Sequence, residues 1–217
     1  YSSALITALS SAISTETVFQ YVRTTKKYID EHFKNSVKVD ITGMIVVIRD
    51  MVLLVIQSSI FSIVISLLLI GLLTAFFFNR VLWGLLAVVP LTGAVILNFG
   101  LMGHFNITLN HITAILSAII IGVGVDFAIH FISQFRYLSK KQNQKQISEN
   151  VIKDVGYPIL LDAGSNMGFG ALLFSAFIPV QYVGGLMVFA MVSTSLGTIT
   201  LLSSLIELLK NRIIKGS

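Results

Sequence analysis

From Met51 to Phe78 the chain carries no Asp, Glu, Lys or Arg. A run longer than about 20 apolar residues crosses a bilayer as a helix, with some tilt where it exceeds the hydrocarbon thickness. Four further apolar runs follow: Val81–Gly103, Asn110–Phe135, Tyr157–Ile178 and Tyr182–Leu209. Pro90 lies inside the second, and membrane helices tolerate Pro when neighbours re-satisfy the freed carbonyl. The breaks are polar: Asn79-Arg80, the linker Arg136–Lys153, and the turn Pro179-Val180-Gln181. Composition points the same way. Of 217 residues, 55% are hydrophobic and only 12% charged, with mean hydropathy +0.88. An ordinary soluble domain carries about 25% charged residues. A disordered chain and a soluble globular domain are therefore excluded as expectations, and an integral membrane protein is predicted.

The first fifty residues differ. Val18, Tyr21, Val22, Tyr28, Ile29 and Phe33 recur at roughly helical spacing and predict a helix over Thr17–Phe33. Ser2–Ser10 reads as a strand, and Ser36–Thr42 alternates in the manner of a half-buried strand before Gly43 breaks it. The expected fold class is mainly α: a polytopic membrane protein of five transmembrane helices, preceded by a small βαβ piece. The expected domains are residues 1–50 and 51–217. The chain opens on Tyr1 without a signal-peptide pattern, so it is expected to be a piece of a longer protein.

Net charge is +5, and the distribution of basic residues sets an orientation. Arg80, then Arg136, Lys140, Lys141, Lys145 and Lys153, then Lys210, Arg212 and Lys215 all fall on one side of an alternating topology. The turns on the other side carry no Lys or Arg. The positive-inside rule makes the basic side cytoplasmic and places residues 1–50 outside the cell membrane.

Asp126 is the most informative single residue. It lies deep in the third run, within Gly122-Val-Gly124-Val-Asp126-Phe-Ala-Ile-His130. Ten residues at 1.5 Å each put it about 15 Å from Arg136, near the midplane of a ~30 Å core. A carboxylate at that depth costs about 2.5–3.5 kcal/mol on insertion, so it needs protein or water around it. It reads as a proton-coupling carboxylate; a buried Asp that only ties helices together is the blander reading. Asp162, about 13.5 Å from Lys153 by the same count, would reach a similar depth on the next helix. His130, four residues after Asp126, shares its face and is the candidate relay, although a hydrogen-bonded packing histidine is the commoner use.

Small and polar residues recur at helical steps. Ala118, Gly122 and Asp126 do so on the third run, and Asp162, Asn166 and Gly170 on the fourth. Ser58, Ser62 and Ser66 do so on the first, and Ser193, Gly197, Thr200, Ser204 and Glu207 on the fifth. Close helix packing is the expected use of the Ser and Gly stripes. The chain has no cysteine, no third ligand beside His104 and His111, no Walker-type phosphate loop and no nucleophile–base pair. No metal, cofactor, enzymatic or nucleic-acid-binding role is expected.

In order and spacing these motifs resemble the resistance-nodulation-division (RND) superfamily, in particular its MMPL branch of lipid and hydrophobe exporters. The resemblance rests on Val39-Asp-Ile-Thr-Gly43, Gln57-Ser-Ser59, Val88-Val-Pro90, Gly100-Leu-Met-Gly103, Gly122 to His130, Gln134-Phe-Arg136, and Gly168-Phe169 with Leu172-Leu-Phe-Ser175. It implies the C-terminal half of a twelve-span transporter in the inner membrane, with residues 1–50 ending an extracytoplasmic porter domain. It further implies proton-motive-force-driven export of lipids or other hydrophobic compounds, with Asp126 as the coupling site. Asp162 and His130 would assist, with Gly122, Gly124 and Asn166 in support. The missing N-terminal half would be a partner, as would a homo-oligomer or accessory membrane proteins. Two departures stand out: Phe127 where the family often has Tyr, and Asp162 where a neutral polar residue is usual. The bundle also resembles the sterol-sensing domains of Patched-like proteins, which implies a lipid-binding or scaffold module without transport.

Overall fold

The computed structural model describes residues 5–8, 15–33, 38–107, 109, 111–141 and 147–214. The chain divides into two compact units, Tyr1–Val55 and Ile56–Ser217, with the boundary inside a helix. In the first unit, α1 covers Thr15–His32, close to the helix expected there. No strand is present among the described residues. Residues 38–42, the described part of the expected second strand, are irregular, and Leu5–Ala8 of the expected first strand are irregular as well. The remainder of both expected strands lies outside the described residues. The βαβ expectation is thereby corrected. A period-2 pattern makes a strand only when a neighbour accepts its ladder bonds, and the described residues supply no such neighbour.

The membrane part is built from helices α2 (Met44–Phe77), α3 (Val81–His104), α4 (His111–Lys141), α5 (Ile147–Asn166), α6 (Ile178–Gly197) and α7 (Ser203–Ile214). A π-helical turn, Thr198–Leu202, joins α6 to α7. Four helices are long and apolar enough to cross a membrane: Met44–Phe77, Val81–His104, Ile112–Lys140, and the rod Ile178–Leu209 that runs through α6, the π-turn and α7. The protein is therefore membrane-embedded and multi-pass. The fourth expected span, Tyr157–Ile178, is broken instead. α5 stops at Asn166, and Met167–Phe174 continues as a 3₁₀ segment. Gly168 and Gly170 weaken the α-helix there. The tighter segment packs hard on α6: a Cβ on Gly184 would lie 2.7 Å from the backbone nitrogen of Leu173.

Two helix ends follow from local chemistry. Asn79 takes φ 55 and Asn106 φ 53, the left-handed conformation that Asn tolerates better than most residues. In each case the following amide reaches back five residues: Arg80 to the Ala75 carbonyl at 2.9 Å, and Ile107 to the Met102 carbonyl at 2.8 Å. These bonds satisfy carbonyls that would otherwise be orphaned at a helix C-terminus.

In the second unit, side-chain contacts tie several helix ends together. The Arg136 guanidinium lies 5.0 Å from the centre of the Phe78 ring. Trp83 stacks obliquely between Phe78 and Phe135, at 6.4 and 6.0 Å. Gln134 donates to Asp154 at 2.8 Å, tying α4 to α5, and Ser148 donates to Glu207, tying α5 to α7. Lys153 donates to Glu149 at 2.7 Å, which holds that exposed carboxyl below its ordinary range. Amphipathic aromatic and basic side chains of this kind suit a membrane–water boundary.

The core lies among α3, α4, α5 and α6. It contains Leu91, Leu116, Ile120, Phe127, Phe131, Phe135, Ile159, Met187 and Met191. α2 and α3 approach backbone to backbone, since a Cβ on Gly84 would fall 2.1 Å from the Gly71 carbonyl oxygen. Overpacking of this kind costs about 1–3 kcal/mol. Gly84→Ala is expected to lower unfolding free energy in mixed micelles by that amount. Gly100→Ala, which meets nothing within 4 Å, leaves stability unchanged or slightly raised. At the first helix end, Asn79→Val forces a β-branched residue into φ > 0. It is expected to cost about 1–2 kcal/mol, whereas Asn79→Gly is tolerated.

Candidate functional site: a serine-lined cavity and the Asp126 face

α4 carries the site because its two sides differ. One side is core: Gly124, Phe127, Ala128, Phe131 and Ile132 are buried. Gly124 is there for space. A Cβ at this position would meet Leu91 of α3 at 2.5 Å and the Thr194 methyl of α6 at 2.6 Å, so three helices converge two residues before Asp126. The other side is open. Ala118, Gly122, Asp126 and His130 follow one another at i, i+4 steps, and all four are exposed on this chain. Gly122 has nothing within 4 Å of where a Cβ would stand.

Asp126 therefore points out of this bundle rather than into it. Its helix runs unbroken from His111 to Lys141, which places the carboxylate near the middle of the span. Asp162 is also exposed, on α5. Asn166, half-buried one turn on, donates to the Asp162 backbone carbonyl at 3.0 Å and to its carboxylate at 3.3 Å. Among the described residues, no hydrogen bond links Asp126 to His130 or Asp162. Depth alone brought the two carboxylates together in the sequence; the azimuth of each side chain was not fixed by the count.

The serine stripe of α2 has a use that spacing did not assign. Ser58, Ser59, Ser62 and Ser66 face Ala114, Ser117, Ala118 and Ile121 of α4 across a cavity of about 260 Å³. Expected as a packing seam, the stripe instead forms one wall of an opening, and five hydroxyls line it. Ser117, itself buried, is the residue the sequence did not mark. The volume is just below the about 300–1,000 Å³ typical of small-molecule sites. That suits the polar head and first carbons of an amphiphile, with the remainder lying along the apolar, exposed side of α2. Ala118 lines the cavity and also begins the exposed Gly122–Asp126 line, so cavity and carboxylate share one face of α4.

The stripe expected on the last span shifts as well. The buried polar residues of the α6–α7 rod are Thr194, Ser195, Thr198 and Ser203, rather than Ser193, Gly197, Thr200 and Ser204. Asn98 on α3 is buried too and donates to the Leu186 carbonyl at 3.1 Å. A buried amide left without an acceptor would cost about 1–3 kcal/mol. Asn98→Leu is expected to be better tolerated than Asn98→Asp, as judged by thermal unfolding in detergent, because the carboxylate cannot donate to that carbonyl.

Among the described residues, no group of three His, Asp or Glu is arranged as a metal site requires. Among curated proteins nothing matches the chain. Residues 76–209 match the family model described as the sterol-sensing domain of SREBP cleavage-activation. That segment runs from the end of α2 through α3, α4, α5 and α6 into α7, and so takes in the core, Asp126 and the α4 wall of the cavity. It covers more than half of the 217 residues, and the chain belongs to the sterol-sensing domain family.

Proposed function

We propose that this chain is the membrane part of an RND-type lipid carrier. A hydroxyl-bearing lipid enters between α2 and α4, and proton uptake at Asp126 drives its outward movement. The observation that carries the reading is the shared face of α4: Ala118 borders the serine cavity, and Gly122 and Asp126 follow at successive turns. Serine hydroxyls donate to and accept from a lipid hydroxyl, while the surrounding apolar surface takes its hydrocarbon. Membership of a sterol-sensing family supports a lipid as the ligand class.

An ionised carboxylate facing hydrocarbon at mid-span is costly, so the exposed Asp126 face is covered in the working protein. The first half of the same transporter, with the basic side cytoplasmic, is the cover this reading requires. Within that contact, protonation removes a charge from the interface and shifts the balance between two arrangements of the halves. His130, one turn toward the basic end, is the candidate relay. Asp162 and Asn166 form a second polar pair whose role is supporting.

A second reading is favoured by the family match itself: lipid sensing or scaffolding without transport. The two readings separate in proteoliposomes with an imposed proton gradient and a fluorescent sterol or lipid alcohol. The carrier reading expects Asp126→Asn to abolish gradient-driven movement, at least 100-fold, while lipid binding remains. Equal behaviour of the two proteins, with binding but no gradient-dependent movement, would establish the sensing reading. Filling the cavity with Ser62→Leu and Ser66→Leu is expected to weaken lipid binding about tenfold in either case, corresponding to about 1.4 kcal/mol. Unchanged binding would remove the cavity from the mechanism.

A further inference from the structure

The charges of this chain are segregated along its length. Between Asp50 and Asp126 there is no acidic residue, and none follows Asp126 before Glu149. α3 therefore has no carboxylate, and neither has α2 past Asp50 or α4 past Asp126. Apart from Lys145 in the linker that follows, the Lys and Arg residues of that stretch are Arg80, Arg136, Lys140 and Lys141. They fall at the α2–α3 turn and in the last turns of α4.

The fold brings Arg80 and Arg136 to one corner. Buried Trp83, in the first turn of α3, sits between Phe78 at the end of α2 and Phe135 of α4. The Arg136 guanidinium lies over that same Phe78 ring, and Arg80 follows Phe78 by two residues. Both arginines are half-buried. Arg80 is extended, at φ −157 and ψ 132, and its amide is tied back to Ala75. Lys140 is exposed one turn beyond Arg136. Among the described residues Arg136 joins no ion pair. A ring attracts the cation but offers no oxygen to its five N–H donors. The acids Glu149, Asp154 and Glu207 lie on α5 and α7, where Lys153, Gln134 and Ser148 donate to them. Beside the corner Phe77, Val81 and Leu85 are largely exposed and apolar.

We infer that the corner formed by the α2–α3 turn and the end of α4 is a binding site for an anionic phospholipid. Its phosphate lies between Arg80 and Arg136, and its acyl chains run along Phe77, Val81 and Leu85. The planar guanidinium fork matches two phosphate oxygens at once, and basic pockets among membrane helices take anionic headgroups in this way. The absence of a carboxylate on α2, α3 and α4 at this corner sets the headgroup charge: nothing on these helices receives the ammonium of a zwitterionic lipid. The ring contact with Phe78 holds Arg136 in place before the lipid arrives, which lowers the ordering cost of binding. The site lies apart from the serine cavity and does not depend on transport.

Trp83 is the one tryptophan among the 217 residues and stands inside the corner, so its fluorescence reports occupancy. The test titrates brominated phosphatidylglycerol or brominated phosphatidylcholine into the full chain held in phosphatidylcholine nanodiscs and follows quenching of Trp83. Brominated phosphatidylglycerol is expected to quench at about tenfold lower mole fraction than brominated phosphatidylcholine. Arg80→Gln and Arg136→Gln are each expected to cut that preference about fivefold. Arg136→Lys keeps the charge but loses the fork, and is expected to cut it about threefold. Lys140→Gln is expected to change it by less than about twofold, since that side chain lies outside the pocket. Equal quenching by the two lipids would overturn the site and assign the counter-charge to protein carboxylates. Parent-like preference in Arg136→Lys would also overturn it, leaving only diffuse attraction to a basic end. Should Arg136→Gln fail to fold, Arg136→Lys and Arg80→Gln decide the matter.

Discussion

A backbone in hydrocarbon has no water to bond, so it must satisfy its own amides and carbonyls or be surrounded by protein. This constraint orders the membrane part of the chain. It makes helices of the long apolar runs and demands that their ends be closed by local bonds, as at Asn79 and Asn106. Departures from the α-helix differ in how far they are covered. The π-turn Thr198–Leu202 packs on α3 and α4 and buries Thr198 and Leu202, whereas the 3₁₀ segment Met167–Phe174 packs on α6 but buries no residue.

Once helices are obligatory, what distinguishes one bundle from another is how closely they approach. Gly84 against Gly71, Gly124 between Leu91 and Thr194, and Gly184 against Leu173 are points where a side chain would not fit. Where α2 and α4 instead face each other through serines, a cavity remains. Glycine contacts and hydroxyl-lined space alternate within the same bundle. The carboxylate of Asp126 stands on the open side of α4, whose other side packs on α3, α5 and α6.

Part of the site was legible in advance. Asp126 announces itself because a carboxylate is rare in such a run, and its depth follows from residue counting. Its direction does not. The count placed Asp126 and Asp162 at one level, yet their side chains are not bonded to each other, because azimuth depends on how each helix is rotated in the bundle. The serine stripe was visible at Ser58, Ser62 and Ser66, but spacing cannot tell a packed seam from the wall of a cavity. The expected strands in residues 1–50 failed for a related reason. Alternation in Val37, Val39 and Ile41 specifies a face, and a strand also needs a neighbour.

The sequence by itself determined that the protein crosses a membrane and where most of its helices lie. Those properties follow from transfer free energies, which depend on residue type and run length alone. The tertiary structure decided which side of each helix is inside. In a helix that is apolar all round, lipid and protein core look alike, and the amphipathic signal that marks buried faces in soluble proteins is missing. Burial of Thr194, Ser195, Thr198 and Ser203 rather than Ser193, Thr200 and Ser204, the cavity behind the serine stripe, and the outward aim of Asp126 therefore depend on steric fit between helices, which no single helix encodes.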